Sequence, residues 1–320
     1  MRALHGKLGL AITLIVAIEA CGGSSMPTAP ATTPVTNTPA VAWTQPSIPA
    51  GLSTTLRTML LGLTTYLNQA LTGNQADLPR NPQNATEIQA KIAMLQNASL
   101  AVDIVNGQRW TEGQSTSIDG RAIPVVAVFP VEGMRSEAAD AVHVLEPVTP
   151  LLERFYNLPL PVSTVRLWYG FVIGNSSSGG TVYTEDRTTY ESRTGPTRLP
   201  FDAILMHELA HSYMGHESLN QFVEVYAYNL ARGSSTDVST WSYTGRDWTP
   251  GSASNTGVAA LLDVCQLIGF DGMQTAYRAI YPLHPPYGAV MSQNVIDTFV
   301  AAVPVSQQTA VRAKLNRVGY

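Results

Sequence analysis

The stretch that decides the reading of this chain is His207-Glu208-Leu209-Ala210-His211-Ser212-Tyr213-Met214-Gly215-His216. It contains the pattern H-E-x-x-H in a setting that predicts a helix. Phe201, Ile204, Leu205 and Leu209 recur at helical spacing, Asp202 is placed to cap the start, and Gly215 is placed to stop the end. Two histidines four apart lie on one face of a helix, one turn from each other. Imidazoles so placed can share one zinc ion, with Glu208 beside them as a base. The chain has six histidines in 320 residues, so this pattern arises by chance on the order of once in a hundred such chains.

A catalytic zinc site needs a third protein ligand and an open position. His216 falls at the wrong offset for a third histidine of the H-x-x-G-x-x-H kind. Two carboxylates come next. Glu217 is predicted to lie in the short turn after the first helix. Glu224 is the preferred ligand. Ser218-Leu219-Asn220-Gln221 reads as a capping box that opens a second helix, running to Arg232 and stopping at Gly233. Glu224 falls in its second turn among Phe222, Val223, Val225 and Tyr226. A carboxylate in such a segment costs free energy unless it is compensated, and a metal would compensate it. Tyr228, one turn on, reads as ordinary packing or as a partner that orients a ligand.

The composition excludes some classes. Charged residues make up 13% of the chain against 45% hydrophobic, and the net charge is −4, so there is no electrostatic case for nucleic acid. Cys21 and Cys265 are the two cysteines, which excludes a disulfide framework or a cysteine zinc site. Cys265 lies in an apolar helical run and reads as a small buried hydrophobe. At the start of the chain, Arg2, His5 and Lys7 precede an apolar run from Leu8 to Ile18, too short for a lasting membrane span. Ile18-Glu19-Ala20-Cys21-Gly22 follows and resembles a bacterial lipoprotein signal, with Glu19 departing from the usual small residue. The expectation is a signal peptide at 1–20, lipidation at Cys21 and a Pro/Thr/Ser-rich tether over 21–48 that cannot build a core. This predicts an exported protein held at a bacterial outer membrane or cell surface, with plain secretion as the alternative.

The remainder, 49–320, is predicted as one domain, with an N-terminal extension over 49–135 and a core over 136–320. Helices are expected over 51–71 and 84–105, the second with Asn84 and Glu87 as a capping box. Residues 122–130 read as a buried strand. Two helices are expected over 136–145 and 149–157, separated by Pro147 and Pro150. Strands are expected over 165–173 and 181–184, joined by a Ser/Gly loop. A long polar loop over 234–254 carries Trp241, Tyr243 and Trp248, and short helices start near Asn255, Asp271, Ser292 and Ser306. Strands first and helices later predict an α+β fold in two lobes.

Over about 140–300 these residues resemble the gluzincin metallopeptidases, the group of thermolysin and the aminopeptidase N-like enzymes. Residues 151–161, ending Asn157-Leu158-Pro159-Leu160-Pro161, resemble the turn ahead of the substrate strand. His207, Glu208 and His211 match the zinc-helix motif, and Val223-Glu224-Val225-Tyr226-Ala227 is similar to the family's N-E-G-F-A. The resemblance implies a two-lobed thermolysin-like fold, with a small sheet in the N-terminal lobe and a helical C-terminal lobe. It implies Zn2+ on His207, His211 and Glu224, Glu208 as the catalytic base, and a peptide or protein substrate paired along 165–173. The alternative is a silent, lipid-anchored binding protein on the same fold. Two departures bear on the activity. The substrate loop, Gly174-Asn175-Ser176-Ser177-Ser178-Gly179-Gly180, lacks the acid of the aminopeptidase G-x-M-E-N, which favours an endopeptidase or another amide cleavage. The family's oxyanion tyrosine is replaced by Ser254, leaving Tyr243 as a candidate.

Overall fold

A computed structural model describes residues 41–194, 199–243, 245, 257–288 and 291–316. The signal segment, Cys21, the tether to residue 40, and Trp248 and Ser254 of the long loop lie outside the described residues. Helices come first: α1 (Thr54–Leu61), α2 (Leu63–Asp77), α3 (Ala85–Leu95) and α4 (Leu100–Asn106). Strands β1 (Trp110–Thr116) and β2 (Ala122–Val128) precede the long helix α5 (Arg135–Tyr156). Then follow β3 (Val165–Tyr169), β4 (Asn175–Ser178), β5 (Thr181–Thr184), α6 (Arg187–Thr194), α7 (Phe201–Ala210) and α8 (Glu217–Ala231). The chain closes with α9 (Gly257–Ile280), kinked where Gly269 leaves helical geometry, α10 (Gln293–Ala301) and α11 (Val305–Leu315). None of these helices is long and apolar enough to cross a membrane.

The strands form a five-stranded mixed sheet in the order β1-β2-β3-β5-β4. β2, β3 and β5 run parallel, and β1 and β4 are antiparallel edges. Side chains of a strand alternate between its faces, and here both faces are covered. Val125, Ala127, Leu167, Tyr169 and Val182 face a core built from α5, α7, α8 and the C-terminal helices. Val126, Val128 and Trp168 face a second cluster that holds Leu56, Leu60, Leu67 and Ile104 of the N-terminal helices. Val41, Trp43 and Ile48, assigned to the tether by composition, pack against this second cluster. Trp43 Nε1 donates to the Leu95 carbonyl at 3.2 Å. The two clusters are tied by Lys91 of α3. Its buried ammonium donates to the Gly170 carbonyl at 2.8 Å and to Asp186 Oδ2 at 2.6 Å. Asp186 also accepts from the Thr189 amide at 2.8 Å, at the start of α6.

Several local expectations differ from the structure for identifiable reasons. Pro147 and Pro150 do not divide α5. A proline cannot donate to the carbonyl four residues back, and for Pro150 that carbonyl, Glu146 O, accepts from the Ser115 hydroxyl at 2.6 Å instead. Gly62 breaks the first predicted helix, and Gln96–Ser99 break the second. The Ser/Gly loop after β3 contains the edge strand β4. The 165–173 strand is internal, with β2 on one side and β5 on the other, so a peptide cannot add to it.

Candidate metal centre

The site forms where α7 ends and α8 begins. Pro200 occupies the N-cap of α7, so Asp202 does not cap it. Asp202 pairs instead with Arg187 at 2.6 Å and Arg232 at 2.8 Å. After a five-residue connection, His216 rather than Ser218 caps α8, its Nδ1 accepting from the Leu219 amide at 3.4 Å. Glu217 is therefore the first residue of α8, not part of a preceding turn.

His207 and His211 turn their Nε2 atoms toward each other at 3.1 Å. Glu217 completes the group, with Oε2 3.1 Å from His207 Nε2 and Oε1 3.6 Å from His211 Nε2. A tetrahedral zinc with bonds of 2.0–2.1 Å separates its donors by about 3.3 Å, and the three side chains approach one another at this scale, the carboxylate meeting each imidazole through a different oxygen. The opposite nitrogens face polar groups. His207 Nδ1 lies 3.1 Å from Glu224 Oε2, without hydrogen-bond geometry between them. His211 Nδ1 lies 2.6 Å from Asn220 Nδ2 and 3.2 Å from the Met214 carbonyl, which accepts from that same amide at 2.7 Å. A ring that donates its N–H through Nδ1 keeps the Nε2 lone pair for a metal.

Glu224, the expected third donor, thus stands on the other edge of His207. It is buried, and its carboxylate meets His207 Nδ1 at 3.1 Å through Oε2 and the Tyr243 hydroxyl through Oε1. Seven residues along a helix span about 10.5 Å and return to nearly the same face. Glu217 and Glu224 therefore flank one imidazole, on Nε2 and Nδ1 respectively. Tyr243, the expected oxyanion donor, is also turned away from the Nε2 group: its hydroxyl donates to Glu224 Oε1. Tyr228 packs against the Tyr243 ring at 4.5 Å, with the Arg232 guanidinium 3.5 Å over it.

Glu208 is buried, with 3% of its surface exposed, and its Oε2 has no hydrogen-bond partner among the described residues. Burial pushes its carboxyl up to about 7, against the pull of His207. Burial also disfavours protonated His207, but the Glu217 and Glu224 carboxylates outweigh it and hold that imidazole well above its usual range. His211 is drawn down to about 4 by burial and by His207. Three carboxylates against two imidazoles, in a place largely shut from water, leave a deficit of positive charge that suits a divalent cation.

The sheet brings one further group here. Ser177 of β4, paired with Val182, lies on the α7 side, its hydroxyl oxygen buried with no hydrogen-bond partner among the described residues. Sequence reading missed three contributors: Ser177, Asn220 and Tyr287, whose ring stacks on His211 at 5.1 Å and 16°. Ser177 and Tyr287 reach the site from distant parts of the chain, and no local pattern marks Asn220, six residues from the Met214 carbonyl it meets. Glu217 did carry a signal, an acid directly after a connection too short to move α8 away from the histidines.

No protein-family model and no curated protein matches the chain. Solved structures similar to it include aminopeptidase A of Legionella pneumophila in complex with aspartic acid, with TM-score 0.43 and 14% identity, covering 63% of this chain and 27% of that one. An M1 zinc metallopeptidase of Deinococcus radiodurans has TM-score 0.44 and 11% identity, covering 64% of this chain and 51% of that one. The chain thus spans between a quarter and about half of these structures' length.

Proposed function

We propose that this chain is a zinc-dependent metallopeptidase. The observation that carries the reading is the convergence of His207 Nε2, His211 Nε2 and the Glu217 carboxylate, 3.1–3.6 Å apart, beside buried Glu208. His207, His211 and Glu217 would hold the ion. Zinc bound there supplies a Lewis acid that polarises a carbonyl and makes water nucleophilic near neutral pH. Glu208 accepts the proton that the attacking water loses and passes it to the leaving amine. Glu224 and the Met214 carbonyl hold the two imidazoles in the orientation that keeps Nε2 available. The edge of β4, next to Glu208, offers backbone groups to an extended peptide by strand addition. We propose with it the two-lobed gluzincin fold, with the sheet in one lobe and α8–α11 in the other.

The stretch 174–180 holds no acidic side chain, so nothing in β4 or its flanking turns pairs with a free α-amine, and internal peptide bonds are the expected target. A digest of a peptide library read by mass spectrometry tests this. Internal cleavage that is lost with a chelator and restored by zinc is expected. Equal background from the native protein and from its Glu208→Gln variant would mean a silent binding protein.

The protein is further proposed to act outside the cytoplasm on a lipid anchor at Cys21, a reading supported by the basic start, the short apolar run and the Ala20-Cys21-Gly22 junction. Native protein should partition with membranes and take up labelled fatty acid, and Cys21→Ala should abolish both. A native protein found wholly in the soluble fraction refutes the anchor.

A further inference from the structure

His284-Pro285-Pro286-Tyr287-Gly288 forms a strap beside the connection between α7 and α8. Three backbone contacts fasten it: Gly215 N donates to Pro285 O at 3.2 Å, Glu217 N donates to Gly288 O at 3.0 Å, and Gly288 forms a parallel bridge with His216. The approach is close enough to require glycine at 215. A Cβ there would lie 2.8 Å from Tyr287 N, 3.0 Å from Pro286 C and 3.1 Å from Pro285 O. All three are backbone atoms, so no side-chain rotation can make room. Two consecutive prolines restrict the strap's own φ angles. Tyr287 is thus delivered to a fixed place.

From that place it touches two of the three donors. Its ring lies nearly parallel to the His211 imidazole, and its hydroxyl donates to the Glu217 carboxylate. The side chain remains 54% exposed, so burial of apolar surface does not account for its position. Glu217 is held at both ends by the same strap, its amide by Gly288 and its carboxylate by Tyr287.

We infer that Tyr287 is a positioning residue of the metal centre, clamping Glu217 and His211 in donor geometry through the strap that Gly215 admits. This rests on the reading of His207, His211 and Glu217 as metal donors. Partners that orient a ligand typically contribute 10–100-fold to metal affinity. Tyr287→Phe removes the hydroxyl and keeps the ring, Tyr287→Ala removes both, and Gly215→Val displaces the strap with Tyr287 intact.

The experiment measures zinc affinity by competition with a chromophoric chelator, together with the visible spectrum of the Co2+-substituted protein. Native protein is expected to bind one equivalent. Tyr287→Phe is expected to weaken binding roughly tenfold and to shift the Co2+ bands, with Tyr287→Ala and Gly215→Val approaching a hundredfold. Both Tyr287 variants matching native affinity and spectrum would overturn the role of Tyr287, even if Gly215→Val were impaired. Native protein that binds neither metal would overturn the donor reading itself and the clamp with it.

Discussion

Glu208→Gln is expected to lower kcat by about 10²–10⁴-fold, the usual contribution of a positioned proton-transfer group, while zinc binding stays near stoichiometric and KM changes little. Glutamine matches glutamate in shape and can remain in the same buried place, so packing around α7 is preserved. It cannot accept a proton, and Glu208 is a buried carboxylate beside the converged donors that is not itself among them. Steady-state kinetics on an internally quenched peptide, alongside metal analysis, checks the prediction. A variant that keeps zinc and a kcat within threefold of native would remove Glu208 from the mechanism.

The second large effect separates the two glutamates of α8. Glu217→Gln removes a donor and is expected to leave protein that purifies with little zinc and loses it readily to a chelator. Glu224→Gln keeps all three donors and loosens the hold on His207 Nδ1, a change of about 10–100-fold in affinity. Measured side by side, Glu217 should be the more severe by at least tenfold. The opposite order would restore Glu224 as the donor and contradict the 3.1 Å contact between Glu217 and His207 Nε2.

Much of this was legible in the residues and some was not. The helical periodicity around 201–211 and the central strands, β2 and β3, could be read because burial imposes a repeat on apolar side chains. The edge strands were hidden for the converse reason. β1 reads Trp-Thr-Glu-Gly-Gln-Ser-Thr and β4 reads Asn-Ser-Ser-Ser, and a half-solvated strand of polar residues looks like loop. The continuity of α5 depends on a hydroxyl from Ser115, 31 positions from the carbonyl it satisfies. No window around Pro150 contains that information. The placement of the two glutamates was not legible, because a carboxylate near a histidine can face either nitrogen of the ring. Glu217 faces Nε2 of His207 and Glu224 faces Nδ1.

Composition and pattern placed an N-terminal extension over 49–135 and a core over 136–320 in one domain. Lys91 joins the two parts. Its ammonium crosses from the first helical layer to Gly170 and Asp186, the residues where β3 ends and α6 begins. The turns that lead into β4 and toward α7 are thereby braced from outside the supposed core. The converged side chains lie between His207 and Glu217, but the foundation under them reaches back to Val41.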